Sequence, residues 1–202
     1  MSIGMLERSC PLTSIFHTTE FSGRRLGEAD LPGLQAFFEA NPAYFLSVCG
    51  EPPAANEAHQ EFDDRPPPEM PFDDAFLLGV FDHSGQWVAM ASIVSNLLAP
   101  HVWHIGLFMV ATPLHGSGVA TRVITALEAW LSRQGAQWMR LGVVLGNTRA
   151  ERFWEKCAFR EVRRRSDVAI GQCIHTLRVM VKPLCDQGLD DYLRVVARDR
   201  PE

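Results

Sequence analysis

Between Thr112 and Thr121 the chain reads Thr-Pro-Leu-His-Gly-Ser-Gly-Val-Ala-Thr, a pair of closely spaced glycines at the head of an apolar-periodic segment. Where a strand gives way to a helix, free main-chain amides and the positive end of the helix dipole converge, and such a place holds anions. Gly116 and Gly118 would let a phosphate approach the backbone closely. A plain strand-to-helix turn uses the same residues, so spacing must separate the readings. The P-loop pattern GxxxxGK[ST] is absent, and a dinucleotide fingerprint needs a third glycine where Thr121 stands. That fingerprint also needs an acid about 20 positions on, where Leu141-Gly142-Val143-Val144-Leu145 offers none. The next polar stretch is instead Asn147-Thr148-Arg149-Ala150-Glu151-Arg152-Phe153-Trp154-Glu155-Lys156-Cys157-Ala158-Phe159.

The elements that must position these segments can be read from periodicity. Asp30 precedes a helix with Leu31, Leu34, Phe37 and Phe38 on one side, stopped by Asn41-Pro42. Gly50 to Pro71, with Pro66-Pro67-Pro68, reads as a partly helical loop. Ala75 to Phe81 and Trp87 to Leu97 form a hairpin around Asp82-His83-Ser84-Gly85. Val102 to Val110 is a central strand in which Gly106 marks a bulge or a close backbone approach. Val119, Val123, Ile124, Leu127 and Leu131 recur at helical spacing, with Gly135 at the C-cap. Trp138 to Leu145 is a strand, and Asn147 N-caps a short helix with Ala150, Phe153, Trp154 and Cys157 on one face. Strands near Phe159 to Arg165 and Cys173 to Val181 precede a terminal helix carrying Leu189, Tyr192, Leu193 and Val196. The class is α/β (α+β), with a mixed, mostly antiparallel sheet of six to seven strands flanked by helices.

The two chemistry-bearing segments together resemble the GNAT (Gcn5-related N-acetyltransferase) superfamily. Its pyrophosphate loop runs Gln/Arg-x-x-Gly-x-Gly/Ala, and its later helix runs Asn-x-x-Ala-x-x-Phe-Tyr-x-x-x-Gly-Phe. His115, Gly116, Ser117, Gly118, Val119 and Ala120 fall on the first pattern, and Asn147, Ala150, Phe153, Trp154, Ala158 and Phe159 on the second. The resemblance covers about Ser14 to Lys182; with no break in composition to force a second domain, one domain over 1–202 is expected, with 184–202 as a C-terminal helical extension. Three departures stand out. His115 replaces Gln or Arg but can still donate one bond, and Ala158 replaces Gly, asking for an ordinary backbone conformation at that turn. Trp154 stands where many members carry tyrosine, and an indole cannot release a proton at neutral pH.

The resemblance implies acetyl-CoA as cosubstrate, no metal, and direct attack of a primary amine on the thioester in a ternary complex. Main-chain amides of Phe108, Met109 and Val110 would hold the oxyanion, and the loop from His115 to Thr121 the pyrophosphate. The pantetheine arm would lie between the strand ending at Val110 and the one ending at Leu145, bonded by Asn147, with Phe153 and Trp154 also binding the cofactor. His104 is the candidate general base, for family members often carry a catalytic carboxylate on this strand, and it shares strand parity with Gly106, Phe108 and Val110. Its alternative is a buried structural histidine; His101 and Glu28 are next. Tyr44, in a segment bordering the acceptor in this family, could replace the missing acid.

Composition bounds the partners. A net charge of -5 and a pI near 5.8 argue against general nucleic-acid binding. Apolar runs fall short of the roughly 20 residues of a membrane span, no basic-then-apolar start marks a secretory leader, and five scattered cysteines offer neither disulfide nor zinc spacing. A cytoplasmic location, no membrane and no metal are the expectations, with a homodimer left open. Seven carboxylates from Glu57 to Asp74 against Arg65 alone suggest a cationic small-molecule or peptide acceptor, unless they are a solvated face. The competing functions are a non-catalytic acyl-CoA sensor or interaction module and, more remotely, a nucleotide-binding regulator.

Overall fold

The computed structural model describes residues 14–201. They form a mixed α/β fold around one sheet in the order β1-β2-β3-β4-β5-β6-β8-β7. The strands are β1 Ser14–His17, β2 Phe21–Arg25, β3 Asp74–Asp82, β4 Trp87–Ser95, β5 Val102–Val110, β6 Trp138–Val144, β7 Arg160–Ile170 and β8 Cys173–Pro183. All neighbours pair antiparallel except β5 and β6.

Eight strands replace the expected six to seven, because the segment before the first helix is a hairpin. Its turn carries no Gly, Pro or Asn signal; Thr18 supplies the turn chemistry instead, its Oγ1 accepting from the amide of Phe21 at 2.9 Å. Helix α1, Leu31–Ala40, ends at Asn41 as expected. The Asn41-Pro42 pair also opens α2, Ala43–Val48, since proline suits a helix start as well as a stop. Helix α3, Glu57–Asp63, lies in the acidic segment; α4 is Val119–Arg133, α5 Thr148–Lys156 and α6 Leu189–Val195.

Apolar residues divide by face. One face packs Val123, Ile124, Leu127 and Leu131 of α4 and Trp154 of α5 onto Ile105, Met139 and Leu141. The other face has two patches: Leu34, Phe37 and Phe38 of α1 over Leu77, Met90, Leu107 and Met109, and Tyr192 of α6 over Val102, Trp138, Val179 and Val181.

Two irregularities in β5 shape the centre of the sheet. Ser92 pairs with Leu107 and Ile93 with Ile105, so Gly106 is an extra residue bulged out of the ladder. Parallel pairing with β6 runs only from Val102↔Trp138 to Ile105↔Leu141. Beyond it β5 and β6 separate, leaving a wedge in the middle of the sheet.

Candidate active site

The wedge opens a cavity of about 250 Å³ that passes from one face of the sheet to the other. On the α4–α5 face it is lined by Phe108, Asn147, Ala150 and Trp154; on the opposite face by Tyr44, Val48, His104, Gly106, Arg140, Gly142 and Arg165. Gly106 and Gly142 hollow it out: a Cβ on Gly106 would lie 3.3 Å from Ser92 Oγ, and one on Gly142 3.6 Å from Leu177. The β7–β8 turn closes one wall. Asp167, at φ 56, bends the hairpin so that the Gln172 amide donates to the carbonyl of Cys49 (2.9 Å) and His175 Nε2 meets that of Val48 (2.7 Å).

Main-chain donors face the wedge. The Ala111 amide donates to Val88 across the β4 side, and antiparallel alternation then commits Met109 to Met90 and turns the N–H groups of Phe108 and Val110 toward the wedge. Buried amides of this kind call for a partner. An extended chain bearing carbonyls along this edge would supply one, and pantetheine has that chemistry.

The glycine loop stands at the end of β5. Gly116 and Gly118 both adopt positive φ (82° and 81°), and Gly118 is the residue from which α4 starts, without a side-chain cap. The first-turn amides of Ala120 and Thr121 therefore have no intrahelical acceptor and point out of the helix start. Two side chains tie the loop down. His115 Nε2 lies 2.9 Å from the carbonyl of Val110, and Asn41 Oδ1 accepts from the Thr112 amide at 2.6 Å while its Nδ2 donates to Phe37 at 2.7 Å. Asn41 is buried and links the end of α1 to the loop. Across the wedge, Asn147 Oδ1 accepts from the Ala150 amide at 3.2 Å, capping α5, and its Nδ2 remains for a ligand.

His104 reaches the cavity, but its strand parity needs correcting. The Gly106 bulge shifts the alternation, so Phe108 and Val110 pack with Ile105 on one face and His104 lies on the other. Nor is the ring an ordinary imidazole. Burial, with the Arg140 cation beside it, pushes the ring down to about 3. Arg140 Nη1 donates to His104 Nδ1 at 3.3 Å, so the neutral ring holds its proton on Nε2 and offers no free lone pair for a base. Arg140 is itself held from below. Asp199 accepts from its Nε at 2.7 Å and its Nη2 at 3.1 Å, and the Tyr192 hydroxyl donates to the same carboxylate. Burial alone would raise the Asp199 carboxyl, but the bonds from Arg140 outweigh it and hold the group below the usual range.

The seven acids from Glu57 to Asp74 have different surroundings. Asp63, Asp64 and Glu69 are exposed; Asp74 pairs with Arg25, Asp73 accepts from Asn96, and Glu57 accepts from the Ala54 amide. Glu61 differs. It is part-buried, beside Ser92 at the Gly106 bulge, close to Tyr44, and without a cationic partner among the described residues. Burial, with Asp64 and Glu57 nearby, pushes its carboxyl up to about 7. The same surroundings, burial first and Glu61 next, raise the Tyr44 hydroxyl, which stays protonated and makes no hydrogen bond among the described residues.

A model described as the acetyltransferase (GNAT) family matches residues 35–159, over half of the chain. The chain belongs to that family. Comparison with curated protein sequences gives no match. Among solved structures, the spermidine N-acetyltransferase from Vibrio cholerae, in complex with CoA and spermine, is similar with a TM-score of 0.64 at 15% identity, covering 83% of this chain and 97% of that one. The Salmonella typhimurium acetyl transferase that modifies the N-terminal serine of ribosomal protein L7/L12 gives 0.66 at 14%, covering 85% and 99%. A GCN5-related N-acetyltransferase from Kribbella flavida gives 0.57 at 22%, covering 81% and 97%. At these identities the likeness is one of fold.

Of the residues the GNAT resemblance singles out, the structure brings Tyr44, His104, Phe108, Asn147 and Trp154 to one cavity. Phe153 stacks on Phe108 at 6.0 Å, Met109 packs under α1 on the far face, and the buried Val119 anchors α4. Ser117 is engaged within the loop, its Oγ donating to Leu114 at 2.6 Å. His101 lies elsewhere, 2.9 Å from the Gly135 carbonyl, and Glu28 is exposed outside the cavity. Ala158 takes φ 67, not the ordinary conformation expected: it closes α5 with the paired bonds Phe159 to Trp154 and Ala158 to Glu155 (both 3.0 Å), a cap that needs a left-handed residue. The sequence gives no site role to Asn41, Arg140 or Asp199, and shows Glu61 only as one of seven acids and Arg165 only as part of the basic run Arg163-Arg164-Arg165. A lone inward carboxylate among seven, and pairings across long stretches of chain, leave no local spacing to read.

Proposed function

We propose that this GNAT protein is an acyl-CoA-dependent N-acyltransferase in which acetyl-CoA enters from the α4–α5 face and a primary amine from the opposite face. The observation that carries the reading is the through-sheet wedge, with strand amides turned into one edge, the uncapped start of α4 at one end and Glu61 beside the bulge. The loop from His115 to Thr121 holds the pyrophosphate, the Asn147 amide and the β5 edge hold the pantetheine arm, and the Phe108 and Val110 amides receive the developing oxyanion.

An alkylamine with a pKa of about 10.4 reaches the site protonated and must lose a proton before it can attack. Glu61 takes that proton, directly or through water, replacing His104 in the role. The nitrogen lone pair then adds to the thioester carbon, the added nitrogen gives up its second proton to water, and the collapsing tetrahedral species breaks the C–S bond and expels the CoA thiolate. Its thiol pKa of about 8.5 makes departure undemanding. The Tyr44 hydroxyl donates a hydrogen bond to the leaving sulfur, a service Trp154 can match only with its N–H.

The test is Glu61→Gln, an isosteric change. We expect kcat for acetyl transfer to an amine to fall about 10²-fold to 10⁴-fold with the acetyl-CoA affinity kept. In the parent protein kcat/KM falls as pH drops through about 7, where Glu61 of the free protein takes up its proton; in the variant that limb disappears. An unchanged kcat and limb would remove Glu61 from the chemistry.

A further inference from the structure

The wall of the cavity built by β6 and β7 is cationic. Arg140 and Arg165 both line it. The carboxylate beside them, Asp199, has its oxygens engaged by Arg140 and Tyr192. Arg163 and Arg198 add positive charge around Arg165, and Arg163 donates to the Arg198 carbonyl. Arg165 makes no hydrogen bond to another described residue, although it is only partly exposed. A guanidinium withdrawn from water among other cations, with its donors unspent, is complementary to an anion that can accept two bonds at once. Tyr44 lines the same cavity, and Glu61 lies close to Tyr44.

From this arrangement we propose that Arg165, backed by Arg140, forms a carboxylate subsite, so that one of the two reactants carries a carboxylate held at β7 while the reacting amine faces Glu61. The proposal rests on the acyltransferase reading above. The carboxylate belongs either to the acceptor, an amino-acid-like zwitterion, or to the acyl group, as in a dicarboxylic acyl-CoA. The chemistry recognised is the same. It also changes the expectation for the acidic segment: most of those acids are spent or solvated, and the acceptor is not simply a cation.

The experiment compares kcat/KM for acetyl-CoA with the α-amino acids against the same set as C-terminal amides, then for succinyl-CoA against acetyl-CoA with the amides. The parent protein should favour the carboxylate-bearing partner in one arm by about tenfold or more, the worth of a charged hydrogen-bond pair. The arm that shows the preference identifies the source. Arg165→Gln should abolish it through a raised KM for that partner while the thermal shift with acetyl-CoA is retained, and Arg165→Lys should keep part of it. Turnover without preference in either arm, or a preference untouched by Arg165→Gln in a protein that still shows the acetyl-CoA shift, would overturn the subsite alone. No turnover with any pair would overturn both it and the acyltransferase reading.

Discussion

At the scale of single residues, Ala158 shows what a motif can and cannot say. The family pattern places a glycine there, and the chain supplies alanine yet keeps the left-handed turn, at φ 67. That conformation costs an L-residue roughly 1–2 kcal/mol, while glycine returns some of it by loosening the unfolded chain. We therefore expect Ala158→Gly to stabilise the protein by about 0.5–1 kcal/mol, read as a rise of roughly 1–4 °C in a thermal melt. A lower melting temperature would mean the turn is not strained. His104 and Glu61 give the opposite lesson. His104 is visible in the sequence because it sits on a strand whose place can be counted, but its protonation depends on Arg140 and burial, which a one-dimensional pattern does not contain. Glu61 is hidden among its acidic neighbours, and only packing of α3 against Ser92 distinguishes it.

Elements are more legible than residues. The β3–β4 hairpin, the full span of β5, the start of α4 and the Asn147 cap all arise from local signals: a four-residue turn, an apolar run, a glycine pair, a capping side chain. Gly106 is recognisable as a bulge or close approach, and it is the bulge. Its effect on everything after it is not, because a slip of one residue reverses which face each later side chain occupies. The divergence of β5 and β6 also lies beyond reach, since it belongs to a pair of strands. The proposed anion site is a property of the loop and the start of α4 together. Acetyl-CoA at a hundredfold excess over its Kd should stabilise the protein by about 2.7 kcal/mol. Gly118→Glu should abolish that gain, since the position has φ 81, unfavourable to any side chain, and the added carboxylate repels phosphate. An unchanged shift in the folded variant would show that the loop is not the phosphate site.

Across the whole molecule, the two ends of the described chain serve the centre. The β1–β2 hairpin extends the sheet, and the terminal segment carries Tyr192 and Asp199 to a buried arginine on β6. That link joins the cavity wall to a part of the chain outside residues 35–159, the stretch the family model matches. Removing the charge at Asp199 should leave Arg140 uncompensated, so Asp199→Asn is expected to cost about 3–5 kcal/mol in denaturant unfolding, and a cost under about 1 kcal/mol would contradict the clamp. Stability then depends on pH with opposite signs at two carboxyls. Asp199 is held below the ordinary carboxyl range in the folded protein, so its contribution is complete above that range and lost as pH falls through the folded value. Glu61 acts oppositely: with its carboxyl raised, the folded state binds the proton more tightly, and its burial weakens stability as pH climbs toward 7.

The central claim is that the wedge brings an acyl thioester and an amine together for transfer. The most direct measurement incubates the protein with acetyl-CoA and a panel of amines, amino acids and N-terminal peptides, following free thiol and the mass of each acceptor. The account predicts saturable, amine-dependent thiol release matched one to one by an acceptor heavier by one acetyl group on nitrogen. Acetyl-CoA that stabilises the protein but leaves every acceptor unmodified would contradict it and identify the chain as a binding protein on the same fold.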